Sequence, residues 1–162
     1  MKHSYWGNIE QDWAGFSSDI TFSNPFFNKQ NVEVFLGEEF DEDGEEIDEP
    51  PTESRLDNFA ATYQQFLNHI DTHIEQIQSK AFERYLKLYA HYYENPEKSG
   101  EPALNINSIA KHNEYIKEII YLRVPDDDAI KLSIRYQIDT EHGLEFRFEN
   151  GQIAAIGGIA ET

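Results

Sequence analysis

The sequence predicts an α+β protein in which an antiparallel sheet packs against a long, kinked pair of amphipathic helices. Apolar residues recur at steps of three and four between residues 54 and 94, which is typical of a helix with one buried face. Residues 130–138 and 144–148 alternate apolar and polar, as strands do. No linker or internal repeat divides the 162 residues. We therefore expect residues 1–162 to form a single domain.

An N-terminal hairpin is the first predicted element. Ile20–Phe22 and Val32–Leu36 are rich in the β-branched and aromatic residues that favour strands. Turn formers lie between them at Ser23-Asn24-Pro25 and Asn28–Asn31. The two runs are therefore expected to pair.

The segment that follows is strongly acidic. Residues 38–53 contain ten of the 31 acidic side chains and no basic one, in a chain with a formal net charge of -18. Like charges at this density repel one another, so we expect a mobile, solvated loop. A calcium loop is not predicted because, counting from Asp41, Glu46 occupies the position that requires glycine and Thr52 the last ligand position.

This loop is the predicted binding surface for a basic protein partner. Clustered carboxylates attract a cationic protein and speed its encounter. The alternative is a loop that only keeps the protein soluble. The residues predicted to bind the partner are Glu38, Glu39, Asp41, Glu42, Asp43, Glu45, Glu46, Asp48 and Glu49.

Two helices are expected from Ser54 to Glu94. Ser54 is the predicted N-cap, with Asp57 as its capping-box partner. One unbroken helix would be about 60 Å long, too long for a domain of this size, so we expect a kink near Gln78-Ser79. Asn95-Pro96 and Gly100 should end the second helix. A short helix is expected within residues 106–117.

A C-terminal meander is predicted after these helices. Its strands are Ile119–Val124, Ile130–Ile138 with one buried and one wet face, and a third run around Phe146. Asn150-Gly151 is a strong hairpin signal and leads into a last strand.

Asp139, Glu141 and His142 form the most site-like cluster in the sequence. Two carboxylates beside an imidazole can act as acid and base or as metal ligands. One alternative is a loop that contacts a partner. The other, which we favour, is a tight turn in which Asp139 caps backbone N–H groups, Gly143 supplies a positive φ and His142 bonds a carboxylate. No catalytic residue is therefore predicted.

His69 and His73 have the spacing of two zinc ligands on a helix. Ile70, however, stands where a zinc peptidase needs glutamate. We expect a helix surface with two neutral histidines, and predict no metal and no cofactor. Partners cannot be assigned to His3, His91 or His112 from the sequence.

Several classes of function are disfavoured. The chain has no cysteine, which excludes thiolate chemistry and is compatible with a reducing cytoplasm. The first residues lack the apolar region of a signal peptide, and no apolar stretch is long enough to span a membrane. An acidic surface repels nucleic acid and anionic membranes. We expect a cytoplasmic protein that binds neither.

Trp6-Gly7, the aromatic-rich helices and the run IRYQIDTEHGLEFRFENGQIAAIGG at Ile134–Gly158 carry a family resemblance. The chain is similar to a family of uncharacterised bacterial cytoplasmic proteins with a C-terminal Glu-His-Gly hairpin motif. Proteins of this type resemble immunity proteins, which neutralise toxins used in competition between bacteria. The resemblance implies no catalytic residue.

These observations predict a binding protein rather than an enzyme. The most concrete form is an immunity-type inhibitor that occludes a basic toxin domain with its acidic surface. Two alternatives stay open, a small metal-dependent hydrolase built on Asp139, Glu141 and His142, and a scaffold protein without a ligand. The sequence does not indicate an oligomeric state.

Overall fold

Antiparallel strands and a helix pair packed on them confirm the predicted α+β class. The computed structural model describes residues 1–162. In chain order, the elements are β1 Lys2–His3, β2 Gly7–Asn8, β3 Glu10–Asp12, β4 Gly15–Ser17, β5 Thr21–Phe22, β6 Val32–Leu36, α1 Glu53–Asn68, α2 Ile70–Leu88, α3 Ala90–Tyr93, α4 Pro96–Ser99, α5 Ile109–Asn113, β7 Ile119–Val124, β8 Ala129–Ile134, β9 Leu144–Glu149 and β10 Gln152–Gly157.

The main sheet has the strand order β10-β9-β8-β7-β6-β4-β3, with β5 paired to β6. The predicted hairpin of β5 and β6 and the meander from β7 to β10 are both confirmed, and their neighbouring strands are antiparallel. One parallel pair, β6 with β7, joins the two halves and places Val34 opposite Leu122. All five helices lie in the crossover between those two strands, as a parallel connection requires.

The hydrophobic core is one continuous cluster of 30 buried residues. Helix α1 contributes Leu56, Phe59, Tyr63 and Phe66 from one face, which is the stripe that the sequence periodicity predicted. Strand residues such as Leu132 and Phe146 meet this stripe from the sheet. The burial of these large side chains is the main source of stability for the helix–sheet contact.

The predicted kink at Gln78-Ser79 is wrong, because both residues lie within α2. The helices break instead at His69, where φ is -120° and the N–H bonds back to the Phe66 carbonyl. This break lets α1 pack on β7 and β8 while α2 reaches α5 and β10. The length of a single helix required a break somewhere. It did not indicate the position of the break, which depends on where the helices pack on the sheet. No helix in the structure is long and apolar enough to cross a membrane.

The predicted N-cap is also wrong. Thr52, rather than Ser54, caps α1 by accepting a hydrogen bond of 3.3 Å from the Arg55 N–H. Asp57 is not part of a capping box, because its carboxylate lies 2.7 Å from Nε2 of the buried His3. At the other end, the helical region stops before Pro96, but Asn95 then caps the separate short helix α4.

Strand β8 departs from the prediction of one buried and one wet face. It ends at Ile134, and Ser133 on its second face is fully buried. The Ser133 hydroxyl donates to the carboxylate of Glu145, which is itself buried. The same carboxylate accepts the N–H groups of Ala160 and Thr162, both at 3.3 Å. The C-terminal residues therefore cover this part of the sheet.

Candidate functional site: an acidic hairpin beside exposed aromatic side chains

The acidic run leaves the sheet at Gly37, directly after β6. Gly37 is buried with φ of 82°, and its N–H donates to the Val124 carbonyl at 2.8 Å. A side chain there would meet Nη2 of Arg55, which lies 3.1 Å from the position of a Cβ atom. The positive φ favours glycine, and a side chain here would have to displace the guanidinium of Arg55. The run therefore starts at a fixed point and returns to the sheet-packed helices at Thr52.

Part of the run folds into a small hairpin. Phe40 forms an antiparallel bridge with Glu46, and the Ile47 N–H donates to the Glu39 carbonyl at 3.0 Å. The Asp41 carboxylate accepts the N–H groups of Asp43 and Glu45, both at 2.9 Å. The segment thus has more local structure than the expected loop. Its mobility stays a prediction. We call Glu38–Glu49 the acidic hairpin.

The acidic hairpin rests on the edge of the sheet. The Gln11 side-chain amide, on edge strand β3, donates to the Glu46 carboxylate at 3.2 Å and to the Ile47 carbonyl at 3.4 Å. Ile47 is half-buried and packs against the core. These contacts hold the hairpin beside β3 while its carboxylates face solvent.

The nine predicted partner-binding carboxylates are left without internal counterions. Eight of these residues are exposed and Glu39 is half-buried. None of them lies within 4.0 Å of a lysine, arginine, histidine or N-terminal nitrogen. Of the two arginines near the base of the hairpin, Arg55 pairs with Asp126 at 2.7 Å and Arg123 bonds to carbonyl oxygens. The negative field of the hairpin therefore extends into solvent.

Two large aromatic side chains are exposed beside these charges. Trp13 is 59% exposed and meets Phe35 and Tyr121 edge to face, with ring centroids 5.3 and 5.6 Å away. Phe40, inside the acidic hairpin, is 52% exposed. Gly15, the first residue of β4 after the turn at Trp13-Ala14, approaches Glu39, whose Cα lies 3.7 Å from the position of a Gly15 Cβ. Exposed aromatic residues of this kind are typical anchors in protein interfaces. Sequence reasoning missed them as site residues.

Arg123 is buried beneath this surface, and sequence reasoning also missed it as a site residue. Arg123 is 6% exposed, and its guanidinium lies over the rings of Phe35 and Tyr121, 5.2 and 5.5 Å from their centroids. It donates to the Gly37 carbonyl at 2.9 Å and to the Ala14 carbonyl at 2.6 Å. Arg123 thus fixes the start of the acidic hairpin to the turn that carries Trp13.

The turn at Asp139 has the geometry of the favoured structural role. The Asp139 carboxylate accepts the His142 N–H at 3.2 Å, and its Oδ2 lies 3.0 Å from both His142 Nδ1 and the Tyr89 hydroxyl. Burial alone would raise the pKa of Asp139, but these hydrogen bonds outweigh it and lower that pKa. The bond to Asp139 raises the pKa of His142. Glu141 is exposed and takes part in none of these contacts. No group of three potential ligands in the structure could hold a metal ion.

The expected surface position of His73 is wrong. His73 is 2% exposed and stacks on Phe66 with 4.7 Å between ring centroids. Burial lowers its pKa, which favours the neutral form. His69 is exposed, and its ring lies 6.4 Å from that of His73. His112, for which no partner was assigned, bonds to the Tyr136 hydroxyl at 2.6 Å.

Comparison with known proteins adds a family but no activity. No curated protein and no solved structure matches the chain. A family model described as a domain of unknown function (DUF6985) matches residues 5–161. The chain therefore belongs to the DUF6985 family.

Proposed function

We propose that this protein is a binding protein, not an enzyme, that recognises a basic protein domain through the acidic hairpin. The observation that carries the proposal is the absence of any ion pair between the nine carboxylates of the hairpin and the cations of the same chain. Had lysines and arginines of the domain neutralised these charges, the hairpin would have little left to offer a partner.

The electrostatic contribution acts mainly on association. A charged surface of this kind can raise on-rates to about 10⁸ M⁻¹s⁻¹ or more at low salt, compared with about 10⁵ to 10⁶ without steering. The Debye length is about 8 Å at physiological ionic strength, so this advantage falls as salt is added. Exposed ion pairs alone add little affinity.

Trp13 and Phe40 supply the anchoring contacts. Both are more than half exposed; Phe40 lies within the acidic hairpin, and Trp13 is two residues before Gly15, which approaches Glu39. Burying a large aromatic side chain in a partner pocket commonly accounts for much of the affinity of an interface. The proposed interface therefore has an aromatic centre and an acidic rim.

The finer form of the proposal is an immunity-type inhibitor in the cytoplasm that neutralises a basic bacterial toxin domain. Proteins that act on nucleic acid have positively charged clefts, because they must bind phosphates. A hairpin with nine unpaired carboxylates would occupy such a cleft as a mimic of the polyanion. The choice of partner is supported by the resemblance of Ile134–Gly158 to a family of uncharacterised bacterial proteins, since proteins of that type resemble immunity proteins.

The test starts with co-expression and co-purification of the product of the adjacent gene. Association with that product is then measured by stopped flow for the native protein and for a variant with Asp41→Asn, Asp43→Asn, Glu45→Gln and Glu46→Gln. Asparagine at position 41 keeps the oxygen that accepts the Asp43 and Glu45 N–H groups, so the hairpin should persist. We expect slower association and a weaker dependence on salt.

The control variant removes the same number of charges elsewhere, by Asp71→Asn, Glu75→Gln, Glu97→Gln and Glu114→Gln. These four residues are exposed, have no ion pair and lie outside the acidic hairpin. If both variants slow association equally, only net charge matters and the hairpin is not the recognition surface. If neither changes the rate, the hairpin only solubilises the protein.

A further inference from the structure

A groove lies at the opposite edge of the sheet from the acidic hairpin. It runs between α2 and the edge strand β10, whereas the acidic hairpin lies beside β3 at the other end of the strand order. Its volume is about 200 Å³, and it is lined by Lys80, Glu83, Arg84, Lys87, Leu88 and Ile156. The proposed function makes no use of this groove.

The groove is basic in a strongly acidic protein. Lys80, Arg84 and Lys87 are spaced by four and three residues, so they share one face of α2. Glu83 is the one carboxylate in the lining, and it lies 3.4 Å from Lys80 in an exposed pair. Such a pair contributes little and can be exchanged for a better partner. Lys87 has no ion pair.

Arg84 has hydrogen-bonding capacity that the fold does not use. Its Nε is enclosed without a partner, and its Nη1 makes one long bond of 3.3 Å to the Ile156 carbonyl. Arg55, Arg135 and Arg147 each pair with a carboxylate, whereas Arg84 does not. A guanidinium has five N–H donors arranged to bind a carboxylate through two parallel bonds. Nη2 makes no hydrogen bond within the chain, so a carboxylate from outside that enters the groove would bind at this end of the guanidinium rather than at the enclosed Nε.

Strand β10 offers an open edge beside these cations. It pairs with β9 alone, and its sequence QIAAIG has no charged residue and no proline, which usually protect edge strands. Two features limit pairing of this edge with another strand: a register shift between Ile153 and Ala155, and the hydrogen bond from Arg84 to the Ile156 carbonyl. Leu88, at the rim of the groove, is 43% exposed. The edge can therefore accept backbone hydrogen bonds and an apolar side chain.

We propose that this groove binds an extended acidic segment of a protein partner, which adds alongside β10 and places its carboxylates on Lys80, Arg84 and Lys87. In an extended segment, alternate side chains are about 7 Å apart on one face. Lys80 and Arg84 are separated by about 6 Å along the helix axis, since each residue rises about 1.5 Å. A segment with acidic residues at alternate positions and apolar residues between them matches both the cations and Leu88.

The probe for this proposal is an acetylated, amidated ten-residue peptide of alternating glutamate and valine. We expect it to bind the native protein and to slow amide hydrogen exchange over Gln152–Gly157. Arg84→Gln should weaken binding at least tenfold, and the double variant Lys80→Gln, Lys87→Gln should do so without disturbing the Arg84 bond to β10. Lys111→Gln, an exposed cation on α5, is the matched control and should bind as the native protein does.

Three results would overturn the proposal. One is no binding of the glutamate–valine peptide, and another is equal binding of a glutamine–valine peptide. The third is binding that survives both the Arg84 variant and the double lysine variant. Protection of β10 amides that is lost in the double lysine variant supports it. Because none of these variants alters the acidic hairpin, the outcome is independent of the function proposed above.

Discussion

Nη2 of Arg123 donates a hydrogen bond of 2.6 Å to the carbonyl oxygen of Ala14, across 109 residues of sequence. The same guanidinium holds the Gly37 carbonyl, so one buried cation joins the turn that carries Trp13 to the start of the acidic hairpin. No carboxylate pairs with it, and its charge is met by carbonyl oxygens and by the faces of two aromatic rings.

Replacing Arg123 should therefore be costly. Arg123→Met keeps much of the apolar length but leaves two buried carbonyls without donors, which should lower the free energy of unfolding by about 3 kcal/mol. Urea denaturation measures the change. Arg135→Gln is the control, because the Arg135 side chain is 53% exposed and pairs with Glu118 at the surface. It should cost less than about 1 kcal/mol. Equal effects of the two variants would contradict the anchoring role of Arg123.

Gly143 should tolerate substitution worse than another glycine of similar conformation. Both Gly143 and Gly151 have positive φ, 69° and 76°. A Cβ on Gly143 would lie 2.6 Å from Cδ1 of Ile159, whereas nothing lies within 4 Å of one on Gly151. Alanine carries the backbone strain at both sites, so the difference isolates crowding. We expect Gly143→Ala to lower the free energy of unfolding, measured by thermal denaturation, by about 1 to 3 kcal/mol more than Gly151→Ala does. A smaller loss at Gly143 than at Gly151 would show that Ile159 moves aside freely.

The stability of the protein should depend on pH through His112. Burial lowers the pKa of His112 from 6.5 to about 4, so the unfolded chain takes up this proton more readily than the folded one. The contribution is fully present above about pH 6.5 and is lost as pH falls towards 4. It should amount to about 2 kcal/mol between pH 7 and pH 5.

The measurement compares unfolding free energies at those two pH values for the native protein and for His112→Phe. The variant also loses the bond to Tyr136, so the informative quantity is the change with pH and not the absolute stability. We expect that change to shrink in His112→Phe and to persist in His91→Gln, which alters an exposed histidine. An unchanged pH dependence in the His112 variant would mean that this histidine does not contribute.

Trp13 should affect a bound partner differently from the carboxylates. Trp13→Ala removes a proposed anchor and should weaken binding by a factor of about 30 or more, corresponding to about 2 kcal/mol. The loss should come from faster dissociation, while the dependence on salt stays the same. Leu86→Ala is the control, because Leu86 is 52% exposed on α2, away from the acidic hairpin. Surface plasmon resonance distinguishes the two rates, and an unaltered dissociation rate would remove Trp13 from the interface.

Local patterns predicted the elements that depend on local sequence. The bounds of β7 agree with the prediction residue for residue, and Asn150 and Gly151 have the positive φ values, 51° and 76°, of the hairpin turn they signal. The break at His69 was not predictable, because it depends on which part of the helix the sheet supports. The parallel pairing of β6 with β7 was also missed, because nothing in the sequence of either strand indicates which distant strand it pairs with.

In the candidate site, too, only the features that depend on local sequence were predicted. The charge of the acidic hairpin is evident from composition, and its lack of counterions is consistent with the expected partner-binding surface. The position of Trp13 is not evident, because its supporting neighbours Phe35 and Tyr121 come from two other strands. Arg123 is one cation within an apolar strand, and nothing in its local sequence indicates the carbonyls that it holds.

The parallel junction between β6 and β7 constrains the order in which the chain can fold. Leu36 must wait for Val124, its partner across 88 positions, before the centre of the sheet can close. On a ribosome, the N-terminal strands emerge long before that partner exists, with their apolar edge unpaired. Contacts of such long range fold slowly. The highly charged segment next to β6 would meanwhile discourage aggregation of the nascent chain. This effect during synthesis is separate from any role of the segment in the folded protein.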